Sequence, residues 1–421
     1  MQALRPVETL RMRMADGVHL AADVYRPVGP ERYPVLVMRL PYGRKVASTV
    51  VLAHPAWYAA QGYVVLVQDV RGRGDSEGVF RILEDDVADG AQTLSLAADL
   101  AGGNGMVASY GFSYHGMNQF LALAGARKSG GKLPDAMAIA MAAFDVRNHW
   151  AFEGDGFRLQ SNQMWACQMA VENARLAGDL DAAHMLHAAL PSLHSGAVSA
   201  RSDVLEQAAR YTHYHDWLTD DPSYWRARSP QSLLEGVTPD VPVLHVGGWN
   251  DIMLEGTFAA FEAFSAGGSL QRFSIGPWSH IPWGRQVGAL DAGAGAADGI
   301  DREIVAFSTK LSKATTILTR RSGFTMLLKR HGPVSKACRR PRLWCFISHR
   351  AAGRRRRASM ERLRRSRHLR APIISSTIHG GRPRASGCIS ARPRILPTGQ
   401  PSTTGLTCSS IPPIRSTCRS C

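Results

Sequence analysis

The sequence predicts an α/β fold around a mostly parallel sheet, and three observations carry that expectation. An apolar run, Met106-Val107-Ala108-Ser109-Tyr110, stops at Gly111-Phe112-Ser113-Tyr114-His115-Gly116 and passes into a helix-like stretch, Met117 to Ala126. Elsewhere, short apolar runs of strand type alternate with runs of helical spacing. Finally, a serine, an aspartate and a histidine each stand just past the end of an apolar run, in that order along the chain. Open α/β sheets carry their chemistry on the loops beyond those strand ends.

Element by element, strands around Leu10–Met14 and Val18–Tyr25 flank Asp16-Gly17, a tight-hairpin signal. Further strands fit Val35–Leu40, Tyr63–Asp69, Met106–Gly111, Ala136–Ala142, Val241–Val246 and Arg272–Ile275. Helices fit Asp85–Leu100 and Met117–Ala126, the second with its positive N-terminal end behind Ser113. Residues from about Arg147 to Leu234 interrupt the alternation. They are rich in Ala, Leu and Met with helical periodicity, as in Met164–Leu176 and Val204–Tyr211, and read as an inserted helical cap. The expected division is 1–146 and 235–307 for the two parts of the sheet domain, 147–234 for the cap, and 308–421 for a basic tail of low order.

Chemistry concentrates at the strand ends. Glycine two residues before Ser113 and three after lets the chain bend sharply and lift the serine out of the sheet. The common elbow is Gly-x-Ser-x-Gly; here the second glycine falls one place later. Val241–Val246 leads to Gly247-Gly248-Trp249-Asn250-Asp251, and Phe273-Ser274-Ile275 leads to Gly276-Pro277-Trp278-Ser279-His280. A serine hydroxyl becomes nucleophilic when an imidazole takes its proton, and a carboxylate fixes that imidazole's tautomer. Ser, Asp, His is the chain order expected of an α/β-hydrolase.

The chain resembles the cocaine esterase / X-Pro dipeptidyl-peptidase family of serine hydrolases. The matching strings are Asp16-Gly17-Val18-His19-Leu20-Ala21-Ala22-Asp23-Val24-Tyr25-Arg26-Pro27, Pro41-Tyr42-Gly43, Asp69-Val70-Arg71-Gly72-Arg73-Gly74-Asp75-Ser76-Glu77-Gly78 and Asn104-Gly105-Met106-Val107. The elbow, Gly248-Trp249-Asn250-Asp251 and Gly276-Pro277-Trp278-Ser279-His280 follow in order. The resemblance implies an α/β-hydrolase fold with a cap, Ser113 as nucleophile, His280 as base and Asp251 as its orienter. It also implies an oxyanion hole from the Tyr42 hydroxyl and the Tyr114 backbone N–H. Trp278, His115 and Phe112 are expected beside the substrate, a small ester or amide. No metal or organic cofactor is needed for this chemistry. Family members cleave esters, β-lactam side-chain amides or Xaa-Pro peptides, and the cap sets that choice.

Length and charge separate the two ends of the chain. The 421 residues allow two or three domains and a large core. The net charge of +16 suggests a nucleic-acid or membrane-surface binder, but its distribution argues otherwise. Residues 311–421 hold 25 Lys+Arg and one acid, Glu361, whereas the first 310 residues hold 25 Lys+Arg against 33 Asp+Glu. Six of the seven cysteines also lie in the tail. The tail has no clear periodicity, and the jelly-roll domain that follows in the resembled family is not legible there. A change of reading frame near Phe307–Ser308 is expected to account for this: with permissible codons chosen, reading one nucleotide earlier allows a family-like continuation, and a GC-rich gene read out of frame gives a product rich in Arg, Pro and Ser. An inactive frameshifted product, or a basic protein acting through its tail, are the alternatives to an enzyme.

Other motifs have plain readings. Gly72-Arg73-Gly74-Asp75-Ser76-Glu77-Gly78 misses the nucleotide-loop spacing by one residue, and its Arg73-Gly74-Asp75 tripeptide is a coincidence. His213 and His215 beside Asp216 lack further ligands at metal spacing. His245 reads as a satisfied core histidine. The run Arg354-Arg355-Arg356-Arg357 has no aromatic interleaving or recognition fold, so nucleic-acid binding is not expected. Met1–Pro6 lacks the apolar core of a secretory leader, and no run is long enough to span a bilayer, so a cytoplasmic location with free thiols is expected. Nothing in the sequence sets the oligomeric state.

Overall fold

The apolar runs lie side by side as strands in a computed structural model that describes residues 1–45, 51–196, 198, 199, 201–296, 299–313 and 323–326. They are β1 (Glu8–Arg13), β2 (His19–Tyr25), β3 (Tyr33–Leu40), β4 (Val64–Asp69), β5 (Gly103–Phe112), β6 (Ala136–Ala140), β7 (Val243–Asn250), β8 (Gln271–Ser279) and β9 (Gly323–Met326). Among the described residues they form one sheet in the order β1-β2-β4-β3-β5-β6-β7-β8-β9. β2 pairs antiparallel with β1 and β4, and every other pairing is parallel. This is an α/β-hydrolase fold, as the sequence predicts. Most of the tail, including the arginine run and the late cysteines, lies outside the described residues.

Side-chain alternation explains the layers. In β3 and β4 all the central residues are buried, because helices cover both faces of a parallel sheet. Val35, Val37, Val64 and Leu66 pack with Ala91, Leu94 and Ala97 of α2 (Asp86–Ala98) and Ala122 and Ala126 of α3 (Tyr114–Ser129). Their neighbours Leu36, Met38, Val65 and Val67 pack on the other face with Tyr58 and Ala59 of α1 (Pro55–Ala60). That face also holds Ile300, Ile304 and Phe307, one stripe of the helix Ile300–Lys313. Each such side chain, fully buried, contributes roughly 1.5–3 kcal/mol. The same helix is anchored by polar contacts: Asp301 accepts from the Ala53 N–H at 2.7 Å and Glu303 pairs with Arg272 at 2.6 Å. It runs past the boundary expected at 307, with Ser308 buried and Thr309 hydrogen-bonded to Tyr63.

Between β6 and β7 the chain is helical, as the cap reading expects. Two long helices, Leu159–Leu176 and Leu180–His194, pack together. The helix expected over Val204–Tyr211 is instead a short turn, Asp203–Gln207, followed by a 3-10 turn, Ala209–Tyr211. It buries Leu205 and Ala208 and then turns so that the Tyr211 hydroxyl donates to Asp179. His245 is buried in β7 and its ring hydrogen-bonds Gln271 at 3.0 Å. Among the described residues no helix is long and apolar enough to cross a membrane.

Candidate active site

Three strand ends deliver Ser113, Asp251 and His280 to one place. β5 ends at Phe112, in register with Ala140 of β6, and Ser113 follows with its N–H on the Ala140 carbonyl at 2.9 Å. Ser113 holds a left-handed backbone, φ 58° and ψ −124°, a conformation a non-glycine residue adopts only under strain. It stands at the N-terminus of α3, so the turn presents its side chain beyond the carboxyl end of the central strand β5. Asn250 of β7 is in register with Ser279 of β8, across an irregularity after Gly276, so the next residues, Asp251 and His280, emerge side by side. The Asn250 side-chain amide donates to the Pro277 carbonyl at 2.7 Å and holds the two ends together.

The His280 ring bridges the other two side chains. His280 Nε2 lies 2.8 Å from Ser113 Oγ, and His280 Nδ1 lies 2.7 Å from Asp251 Oδ1. The Asp251 carboxylate is fully buried, while the imidazole keeps partial access to solvent. A carboxylate so placed has one dominant partner, and its second oxygen has no donor among the described residues. The Phe112 ring packs on the imidazole at 5.4 Å, and the Trp283 indole N–H donates to the His280 carbonyl at 3.0 Å.

The displaced elbow glycine has a packing cause. A Cβ on Gly116 would sit 2.8 Å from Ala142 Cβ and 3.2 Å from the Ala140 carbonyl, so the close approach of α3 to β6 falls there. Position 115 is free to carry a side chain, and His115 fills it. Its ring is buried between Tyr42, at 5.5 Å, and Phe112, at 5.9 Å, and neither nitrogen has a partner among the described residues. Burial depresses its pKa to about 3, which keeps the imidazole neutral.

Tyr42 and Tyr114 flank the same turn. Tyr42 follows β3, and its hydroxyl accepts a 3.0 Å hydrogen bond from the indole N–H of Trp165 in the cap. Indole is a donor only, so the phenolic proton stays available for an acceptor. Burial pushes this phenol up to about 12, against the bond from Trp165 and the charge of Arg73. Tyr114 is the first residue of α3, where a backbone N–H has no intrahelical acceptor. Its side chain points elsewhere: the hydroxyl donates to Asp86 at 2.6 Å and accepts from the Leu83 N–H at 3.0 Å. Asp86 in turn pairs with buried Arg39 at 2.9 Å, and Asn118 of α3 donates to the Arg39 carbonyl at 2.7 Å. The loop after β3 and the start of α3 are thereby held as one piece.

Sequence reasoning singled out Ser113, Asp251, His280, Tyr42, Tyr114, His115, Phe112 and Trp278; it did not single out Trp165, Asn118 or the Arg39–Asp86 pair. Of the three residues expected beside substrate, Phe112 and His115 make ring contacts with His280 and Tyr42. Trp278 does not: it is buried, donates to the Ala296 carbonyl at 2.7 Å and stacks on Trp283. A Cβ on Gly276 would lie 2.5 Å from that indole, so the glycine makes room for it. His213, by contrast, packs its ring against Phe80 at 6.0 Å and lies 3.5 Å from Asp216. Among the described residues no cluster of three His, Cys, Asp or Glu could hold a metal ion.

With this geometry in view, the chain is similar to several known proteins. A family model described as X-Pro dipeptidyl-peptidase (S15 family) matches residues 16–282. A cocaine esterase from Rhodococcus sp. (strain MB1 Bresler) is 30% identical over 280 residues, which is 63% of this chain and 47% of the relative. The chain thus spans about half the length of the curated relative it matches. An aminopeptidase from the marine sediment archaeon Thaumarchaeota archaeon superposes with a TM-score of 0.57 at 19% identity, over 76% of this chain and 56% of that one. A CocE/NonD family hydrolase from Staphylococcus aureus gives a TM-score of 0.46 at 17% identity, over 65% of this chain and 46% of its own.

Proposed function

The chain belongs to the X-Pro dipeptidyl-peptidase (S15) family, and from that premise we propose that it is a serine hydrolase acting on a small ester or activated amide. The observation that carries this reading is the His280 ring, with one nitrogen 2.8 Å from the Ser113 hydroxyl and the other 2.7 Å from Asp251. In this reading Ser113 Oγ attacks the acyl carbon while His280 Nε2 takes its proton. Asp251 stays ionised, holds the Nδ1–H tautomer and stabilises the imidazolium.

Charge then develops on the former carbonyl oxygen. The Tyr42 O–H and the Tyr114 N–H are the donors for it, and each such donor is worth about 3–4 kcal/mol of transition-state stabilisation. The tetrahedral species collapses as His280 gives its proton to the leaving oxygen or nitrogen. Water, deprotonated by the same imidazole, attacks the acyl-serine and releases the acid. Phe112 and His115 wall the reacting groups, and Trp278 supports Trp283 from behind.

The domain division belongs to the same proposal: a hydrolase core from 1–146 and 235–307, a cap over 147–234, and a tail beyond 307 read out of frame. Resequencing the gene tests the last element, and finding no neighbouring frame that encodes a β-rich domain would refute it. The enzyme reading is tested with a fluorophosphonate probe. The chain takes up the probe and the Ser113→Ala variant does not; labelling that persists in the variant moves the nucleophile elsewhere. A panel of acyl esters and Xaa-Pro anilides then assigns the substrate class.

A further inference from the structure

The loop Gly72-Arg73-Gly74 follows β4, and its glycines are forced. Both have left-handed backbones, φ 68° and 56°. A Cβ on Gly72 would lie 2.3 Å from the Phe80 nitrogen, and one on Gly74 2.2 Å from Asp69 Oδ2. This tight turn aims Arg73 inward, where it is 1% exposed. Nε donates to the Pro41 carbonyl at 2.7 Å, immediately before Tyr42. Nη1 donates to the Met169 carbonyl at 3.3 Å and to Asn173 Oδ1 on the cap helix Leu159–Leu176. The guanidinium also lies over the Phe80 ring at 5.0 Å.

Every one of those partners is neutral. Among the described residues the other two buried arginines, Arg39 and Arg44, each pair with a buried aspartate at 2.9 Å or less. A buried cation with no carboxylate in direct contact is expensive, and charged groups are kept in that state where their field is used. The carboxylates of Glu172 and Asp69 act on Arg73 only through space, and its own charge acts on the phenol of Tyr42, which would supply one oxyanion donor. Trp165, which donates to the Tyr42 hydroxyl, and Met169 and Asn173, which hold Arg73, lie four residues apart on one face of the cap helix.

We propose that Arg73 is a positioning residue of the hydrolytic site, which fixes the Tyr42 loop through the Pro41 carbonyl, ties it to the cap, and sets a positive field beside the developing oxyanion. This rests on the serine-hydrolase reading above. Because the field matters where negative charge appears, it lowers the barrier rather than the substrate's dissociation constant.

The test is turnover of a p-nitrophenyl ester by the full chain, normalised to the fraction of Ser113 titrated by the fluorophosphonate. Arg73→Met keeps the bulk of the side chain and removes charge and donors. Its kcat per titrated site falls about 30- to 100-fold while KM changes less than about threefold. Arg73→Lys, which keeps the charge but loses the planar fork of donors, recovers part of that loss. Asn173→Asp leaves Arg73 in place but sets a carboxylate against its charge, and kcat falls about five- to tenfold with the melting temperature held or raised. A purely structural Arg73 predicts the opposite pattern: fewer titratable sites, but unchanged kcat in each. Normal kcat per site in both Arg73→Met and Asn173→Asp overturns the proposal; if Arg73→Met does not fold, Asn173→Asp decides alone. Failure of the unmodified chain to take up the probe would instead remove the hydrolase reading itself.

Discussion

The Trp165 indole N–H donates to the Tyr42 hydroxyl across 3.0 Å, which joins a cap helix to the loop after β3. The bond fixes the phenol's lone pair and leaves its proton for another acceptor. Ser113, Asp251 and His280 all come from strand ends of the sheet domain. Tyr42, the proposed oxyanion donor, thus takes its orientation from a different part of the chain than Ser113, Asp251 and His280 do.

Removing the phenolic hydroxyl separates these contributions. Tyr42→Phe keeps the ring against His115 and deletes the donor. Steady-state kinetics on an activated ester should show kcat lower by about 100- to 1000-fold with little change in KM. Trp165→Phe leaves the hydroxyl and removes only its orienting donor, for an expected loss of about three- to tenfold. Equal losses in the two variants would mean that Tyr42 packs and does not donate.

Asp251→Asn tests the carboxylate. The amide preserves shape but presents an N–H or a weaker acceptor to His280 Nδ1, and favours the wrong tautomer. Activity should fall by about four orders of magnitude. The melting temperature should hold or rise slightly, since the substitution removes a buried charge whose second oxygen has no donor among the described residues. A variant within tenfold of the original kcat would exclude Asp251 from the relay.

Stability should depend on pH through buried imidazoles. Burial lowers His115 to about 3 and His245 to about 4. Both are neutral in the folded chain, yet take protons near pH 6.5 once unfolded. Below that pH the unfolded state binds more protons, so stability falls as pH drops from 6.5 toward the folded values. Asp86, raised by burial, works in the opposite direction over its own acid range. The difference between two proteins isolates one group: from pH 7 to pH 4, His115→Leu should lose about 2–3 kcal/mol less unfolding free energy than the parent. Parallel pH curves in urea titrations would show that His115 is already protonated when folded.

What was legible in the sequence is what local rules encode. The runs Val35–Leu40 and Val64–Asp69 announce strands because both faces are covered, and their continuous apolar character survives any context. Ser113, Asp251 and His280 were readable because each follows such a run directly, and register then brings the last two together. Trp165 was not readable. Its partner is 123 positions away and its neighbours in the cap give it no distinguishing spacing. Arg73 was read only as part of a glycine loop, because nothing in the sequence says that the turn points inward. The break of Val204–Tyr211 into two turns has the same origin, since contacts with Asp179 end the helix and not its own propensity.

The tail offers the last test. Its basic balance of 25 Lys+Arg to one acid over residues 311–421 is the sole source of the chain's positive charge. The compact unit that holds the sheet ends at Gly332. Cutting there keeps the helix Ile300–Lys313, whose Ile300, Ile304 and Phe307 seal one face of the sheet, and keeps β9 beside β8. Residues 1–332 carry 30 Lys+Arg against 33 Asp+Glu, so the truncated chain has no electrostatic reason to bind polyanions. It should lose retention on heparin at about 0.2 M salt while Ser113 takes up a fluorophosphonate within about threefold of the parent rate. If labelling disappears and the truncated chain still melts cooperatively, residues beyond 332 take part in the site, and the division of the chain at the end of the hydrolase core is wrong.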